Sequence, residues 1–116
     1  MTDRRLSLPR TRRLLTRRQF DSTMKDGRRT RDEFFTVYVR DNGFEHGRLG
    51  MAVARKVSTA AVCRNRIRRQ IRESFRLHQH TLAGLDIVVM ANTRAAAAAN
   101  PALRVALNAH WERLSH

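Results

Sequence analysis

The chain has 116 residues, of which 24 are Lys or Arg and 10 are Asp or Glu, for a formal net charge of +14 and a pI near 11.8. That length allows one domain with one modest core, and that charge points to nucleic acid first and to an anionic membrane surface second. Cys63 is the only cysteine, which excludes an internal disulfide and fits a reducing cytoplasm, and no apolar run approaches the roughly 20 residues that span a bilayer.

The charge is uneven. Residues 1–31 hold eleven basic and three acidic groups and 48–76 hold nine and one, whereas 32–47 carry a net −3 and 77–116 a net +1. The fold must therefore arrange two separate basic stretches. All the basic residues except Lys25 and Lys56 are Arg, a bias that a GC-rich genome would also produce.

Residues 1–13 are basic, contain Pro9 and lack periodicity, so they read as a flexible arm able to become ordered on RNA. This start has the composition of an organellar transit peptide and lacks the apolar core of a secretory signal, but Thr16 onward already reads as folded structure. Thr16 and Gln19 form a T-x-x-Q capping box, with Leu15 and Phe20 at staple positions, and Gly27 suits the end of that helix. Phe20 and Met24, four apart, share a face, which core packing alone would explain.

Phe34 to Arg40 reads as a strand of aromatic and β-branched residues. Phe35, Val37 and Val39 form one face, and Phe34, Thr36, Tyr38 and Arg40 the other. A turn at Asp41-Asn42-Gly43 leads to a strand predicted from Arg48 to about Val57. Leu49, Met51, Val53 and Val57 point one way, and Gly50, Ala52, Ala54 and Lys56 the other. Three small residues ending in a lysine make a poor core face and a suitable groove floor.

Arg55 to Arg76 holds eight basic residues and one acid, Glu73. Ser58 or Thr59 is placed to cap a helix running to about His80. At about 100° per residue, Ile67, Ile71, Ser74, Phe75 and His78 fall in one arc. Asn65, Arg69, Arg72 and Arg76 lie opposite, flanked by Arg66 and Arg68. The wheel puts Arg64 beside Phe75, which requires it to sit in an unclosed first turn or to snorkel. A solvated helix face usually mixes signs. Here only Glu73, beside Arg69 or Arg76, offers a local acid, so an external anion is expected to supply the counter-charge. Guanidinium forks match phosphate oxygens.

Leu85 to Ala91 reads as an interior strand with Asp86 its only charge. Asn92 to Ala99 is a small-residue connection with partial helix character. Asn100-Pro101 starts a last helix, with Leu103, Leu107, His110, Trp111 and Leu114 as its apolar stripe and Trp111 as a core anchor.

Catalytic chemistry is hard to find. The ten acids are scattered, so no converging carboxylates mark a metal nuclease. The five histidines and single cysteine show no metal-ligand spacing, and nothing orients a histidine pair for acid–base cleavage. The glycines form no nucleotide fingerprint. No catalytic or metal-binding residue is assigned, and the chain reads as a binder.

Leu49-Gly50-Met51-Ala52-Val53-Ala54-Arg55-Lys56, followed by Arg64-Asn65-Arg66-Ile67-Arg68-Arg69-Gln70-Ile71-Arg72-Glu73, resembles the signature of the bacterial ribonuclease P protein subunit. Phe20 in a capped helix, Gly27, the Phe35-Thr36-Val37-Tyr38 strand, the Asp86-Ile87-Val88-Val89 strand and a closing helix follow in the family's order. The resemblance covers roughly residues 14–114. It implies a small α/β (α+β) two-layer sandwich, a single RNA-binding domain over 14–116 with three helices and a mixed sheet of about four strands. One strand, not visible in the sequence, and a left-handed βαβ crossover through the arginine helix are part of what it implies.

It further implies a bacterial, cytoplasmic protein that is not itself the nuclease. Such a protein joins a catalytic RNA that removes the 5′ leader of precursor tRNA, helps to bind that substrate and supports the RNA's use of magnesium, with no cofactor of its own and no DNA or membrane partner. Carried over by position, Arg64, Asn65, Arg66, Arg68, Arg69 and Arg72, with Arg76 on the same face, match the helix that meets the catalytic RNA. Phe20, Met24, Phe35, Tyr38, Ala52, Ala54 and Lys56 match the cleft for the single-stranded leader, although alternation puts Phe35 on the core side. Aromatics that stack bases and cations that track phosphates suit that task. The chain departs from the pattern at Met24, where an aromatic is common, at Ala52 and Ala54, where small hydroxyl residues are common, and at Asn92, where a basic residue often stands and Arg94 is the nearby substitute.

A small basic ribosomal protein has the same size and charge but no need of a small-residue strand face beside an aromatic helix. A self-sufficient nuclease is opposed by the scattered acids, and a DNA-binding regulator by the lack of a paired helix-turn-helix signal.

Overall fold

A computed structural model describes residues 14–114, so the arm expected over 1–13 lies outside the described residues. In chain order the elements are α1 (Arg17–Asp26), β1 (Arg28–Arg31), β2 (Phe35–Asp41), β3 (Arg48–Ala52), α2 (Ala61–Leu77), β4 (Leu85–Ala91), a 3₁₀ turn (Thr93–Ala97) and α3 (Asn100–Leu114). The strands form one mixed sheet in the order β1-β2-β4-β3. β2 pairs antiparallel with β1 and β4, and β3 pairs parallel with β4. The parallel pair is joined through α2, the βαβ crossover that the resemblance implies.

α2 and α3 cover one face of the sheet. Phe35, Val37 and Val39 of β2, Leu49 of β3 and Ile87 and Val89 of β4 pack there with Ile67, Ile71 and Phe75 of α2 and Leu103, Leu107 and Trp111 of α3. Each such side chain contributes about 1.5–3 kcal/mol by leaving water. The stripe expected for α3 is the one buried: Leu103, Leu107, His110, Trp111 and Leu114. Two polar pairs tie α2 to α3 in this layer. Trp111 Nε1 donates to Ser74 Oγ at 2.7 Å, and Arg104 Nε donates to Gln70 Oε1 at 2.9 Å. His110 lies wholly buried with its Nε2 3.0 Å from Asp32 Oδ2. Burial holds its pKa below the ordinary histidine value, against the pull of that carboxylate.

α1 crosses the opposite face. The Thr16–Gln19 capping box forms as expected, with Gln19 N–H on Thr16 Oγ1 and Thr16 N–H on Gln19 Oε1. Leu15 and Phe20 both close over Gly50, where an added Cβ would stand 2.6 Å from the Phe20 ring and 3.2 Å from Leu15 Cδ1. Gly27 ends the helix, but not through a left-handed conformation, since its φ is −80°. It is needed for clearance: a Cβ there would collide with the carbonyl oxygens of Thr23 and Val39.

Three expectations change. The strand from Arg48 stops at Ala52, opposite Met90, one residue before the end of β4. The chain then turns, with Val57 N–H on the Ala54 carbonyl at 3.0 Å. Ala54 and Lys56 therefore belong to this turn and not to a strand face. Neither Ser58 nor Thr59 caps the arginine helix. Its N-cap is Ala60, which makes no side-chain cap, and the helix ends at Leu77 rather than near His80. The fourth strand, only implied by the resemblance, is β1, with the sequence Arg-Arg-Thr-Arg.

Candidate nucleic-acid interface

Two surfaces meet at the turn between β3 and α2. The first is the outer face of α2, where Asn65, Arg69, Arg72 and Arg76 are exposed as the helical wheel requires. Arg76 donates to Glu73 at 3.2 and 3.3 Å, settling which arginine pairs with that acid and holding the Glu73 carboxyl below its ordinary pKa. Arg69 and Arg72 have no hydrogen-bond or ion-pair partner among the described residues, so their guanidinium forks are free.

The other three arginines of the group are half-buried and hold the fold together. Arg64 reaches back over the first turn and donates from Nη1 to the carbonyls of Ser58 and Thr59 at 2.9 and 3.0 Å. That contact accounts for its odd place on the wheel. Arg66 clamps the 3₁₀ turn and the start of α3, donating to the carbonyls of Ala96 and Ala98 at 3.1 Å each and to Asn100 Oδ1 at 2.8 Å. Arg68 donates to Asn65 Oδ1 at 3.0 Å and to the Val53 carbonyl at 3.4 Å. These acceptors are neutral, so all three side chains keep an uncompensated positive charge behind the exposed row.

The second surface is the sheet face that α1 only partly covers. Register sets out its rows. Arg40, Asp86 and Arg48 align at one end, Tyr38, Val88 and Gly50 in the middle, and Thr36, Met90 and Ala52 at the other end. Phe20 lies on Gly50, and the C-terminal end of α1 comes down near Arg40, whose Nη1 is 3.9 Å from Asp26 Oδ2. Tyr38, Met24, Met90 and Ala52 are half-buried, and Ala54 and Lys56 are exposed where this face runs into the base of α2. Phe35 does not belong to the cleft. It is wholly buried among the core residues on the other face, as alternation required, and it has no surface to offer a ligand.

β1 extends the same face with Arg29 and Arg31, which the sequence did not single out. Asn92 is engaged within the fold, its Nδ2 on the Asp32 carbonyl at 3.1 Å and its Oδ1 3.4 Å from Thr36 Oγ1. Arg94 lies 3.5 Å from Glu33 Oε2. Among the described residues no three His, Cys, Asp or Glu side chains are grouped to hold a metal ion, and no helix is long and apolar enough to cross a membrane. Of the histidines, His78 Nδ1 meets the Ser74 carbonyl at 2.8 Å and His46 stacks on Phe44, while His116 lies outside the described residues.

A family model described as Ribonuclease P matches residues 8–115. The chain belongs to the ribonuclease P protein family. The ribonuclease P protein component of Methylococcus capsulatus is 45% identical over 103 residues, covering 89% of this chain and 80% of that protein. The component from Pseudomonas aeruginosa is 42% identical over 106 residues, covering 90% and 78%. Among solved structures, the RNase P protein of Staphylococcus aureus superposes with a TM-score of 0.79 at 31% identity, covering 89% of this chain and 94% of that one. The RNase P protein of Thermotoga maritima gives 0.78 at 33% identity, covering 87% and 96%. Ribonuclease P membership thus extends over the helix face and the cleft together. The four-stranded mixed sheet with three helices is the fold of these ribonuclease P proteins.

Proposed function

We propose that this chain is the protein subunit of a bacterial, cytoplasmic ribonuclease P ribonucleoprotein. It binds the catalytic RNA through the outer face of α2 and the single-stranded 5′ leader of precursor tRNA in the cleft, and so supports endonucleolytic removal of that leader. The observation that carries the reading is the continuity of the two surfaces. A row of arginines on a rigid helix, with Arg69 and Arg72 lacking an acid partner among the described residues, runs at the β3–α2 turn into a cleft walled by Phe20 and floored by Tyr38. Stacked bases and tracked phosphates are what such a cleft accommodates. A ribosomal protein of this charge would need the helix face and not the cleft. On this reading catalysis and its magnesium belong to the RNA subunit, and the protein contributes binding.

The arginines divide into two classes by what else they hold. Arg69→Ala and Arg72→Ala should each lower affinity for the catalytic RNA and reduce the slope of log affinity against log salt by roughly 0.7–0.9, with melting unchanged. Arg66→Ala should also melt early, because three acceptors around the start of α3 lose their donor. Filter binding across a salt series, with melting curves alongside, checks both. An unchanged salt slope in Arg69→Ala and Arg72→Ala would remove this face from the interface.

The leader contact is tested by Phe20→Ala and Tyr38→Ala in the assembled holoenzyme. Each should weaken binding of precursor tRNA by about 1–3 kcal/mol through the loss of one stacked base, leaving mature tRNA almost unaffected. Equal weakening of both tRNAs together with early melting would mean that the two rings serve only to pack α1 onto the sheet.

A further inference from the structure

The sheet face that receives the leader on the reading above continues one strand further than the sequence indicated. Residues directly opposed on antiparallel strands point to the same side. The register sets Arg29 opposite Tyr38 and Arg31 opposite Thr36, so both arginines stand on the cleft side. Arg28 and Thr30 lie opposite Val39 and Val37, on the helix side. Thr30 Oγ1 accepts from Arg113 Nη1 of α3 at 3.1 Å, which holds β1 in that orientation. Gly27 holds its start, since the clearance against Thr23 and Val39 admits no side chain there.

Arg29 and Arg31 are exposed, and neither has a hydrogen-bond or ion-pair partner among the described residues. The other polar groups at this end of the face are occupied. Asn92 is held by Asp32 and Thr36, Arg94 lies against Glu33, and Asp32 Oδ1 accepts the N–H groups of Phe34 and Phe35 at 2.8 Å each. An edge strand commonly carries a charge that prevents pairing with another sheet. A single arginine would do that; β1 has three in four residues, two of them lined up beside the cleft floor.

We propose that Arg29 and Arg31 form a distal phosphate subsite of the cleft, taking the backbone of leader nucleotides beyond those stacked at Phe20 and Tyr38. The inference rests on the leader reading above. With the catalytic RNA on α2, nucleotides near the cleavage point enter at the β3–α2 turn and those further 5′ cross β4 and β2 to reach β1. Three strand intervals separate β3 from β1, roughly 14 Å, so the subsite is reached only by a leader of several nucleotides. Guanidinium forks hold phosphate oxygens in a bidentate manner, and such contacts position the strand without reading its bases.

The test is binding of precursor tRNAs with leaders of graded length to the holoenzyme, comparing the unsubstituted protein, Arg29→Ala/Arg31→Ala and Tyr38→Ala. For the double variant we expect affinity equal to that of the unsubstituted protein with the shortest leaders and with mature tRNA. With the longest leaders it should be about tenfold weaker, with a salt slope lower by roughly 1.4 for two lost contacts to a single strand. Tyr38→Ala should lose affinity at shorter lengths. Both arginines are exposed on an edge strand, so melting should not change. Equal affinity of the double variant and the unsubstituted protein at every length overturns the subsite and leaves the cleft reading intact, as does an equal loss for every substrate including mature tRNA. If the unsubstituted holoenzyme itself fails to distinguish precursor from mature tRNA, the cleft reading fails and the subsite with it.

Discussion

Asp86→Ala is expected to cost about 3–5 kcal/mol of folding stability, the range for removing one partner of a buried ion pair. The Asp86 side chain is 0% exposed and that of Arg48 12%. Arg48 grips the carboxylate side-on, with Nε at 2.7 Å from Oδ1 and Nη2 at 2.9 Å from Oδ2. Asn42 Nδ2 donates to Oδ1 at 3.1 Å, and Arg40 Nη2 lies 3.7 Å from Oδ2 on the other side. The three charged residues occupy one row across β2, β4 and β3. Without the carboxylate, two guanidinium groups face each other across a single strand, one of them nearly buried. Arg40 is a third exposed and can turn outward to Asp26, whereas Arg48 cannot leave. A paired change to apolar residues, Asp86→Leu with Arg48→Met, should recover much of the loss because it removes the stranded charge along with the bond. Denaturant midpoints for the three proteins provide the check. If Asp86→Ala stays within about 1 kcal/mol of the unsubstituted protein, the row is not a buried ionic anchor.

Some features were legible because their causes are local. The capping box needs only Thr16 and Gln19, three residues apart, and the stripe of α3 needs only helical period. The exposed row Asn65, Arg69, Arg72 and Arg76 follows from the same period. Alternation along β2 also placed Phe35 in the core, and here the residue-level argument overruled the position carried over from the family resemblance.

What was not legible depends on partners far along the chain. β1 has no apolar alternation, since Arg-Arg-Thr-Arg becomes a strand by pairing with β2 and by the Arg113 hydrogen bond to Thr30. Nothing in Ala96 or Ala98 announces that their oxygens will take the Arg66 fork, because backbone carbonyls have no sequence signature. Gln70 is a polar residue buried on the core side of α2, admissible only because Arg104 of α3 donates to it. β3 ends at Ala52 and the chain turns at once, with Val57 N–H on the Ala54 carbonyl, although the alternation of residues 53–57 reads as more strand.

The protein alone is expected to cleave no RNA, yet to lower several-fold the magnesium that a bacterial ribonuclease P RNA requires. The first half rests on its side chains. Among the described residues no cluster is placed to hold a metal, and the buried His110 is committed to the fold beside Asp32. The second half rests on charge. RNA packed against RNA is held apart by phosphate repulsion, which divalent cations ordinarily relieve. On the proposed arrangement, with the catalytic RNA on α2 and the leader in the cleft, a chain of net charge +14 would supply fixed positive charge at that junction. Screening limits its reach to about 8–10 Å at physiological salt, so the effect requires contact at a defined place, and a diffuse basic polymer should not reproduce it. The measurement is cleavage of precursor tRNA across a magnesium titration by the RNA alone, with this protein, and with a polyarginine peptide of equal charge. The protein curve should lie well below both others in the magnesium it needs. A peptide that shifts the curve as far would mean that the arrangement of α2 and the cleft adds nothing to bulk charge.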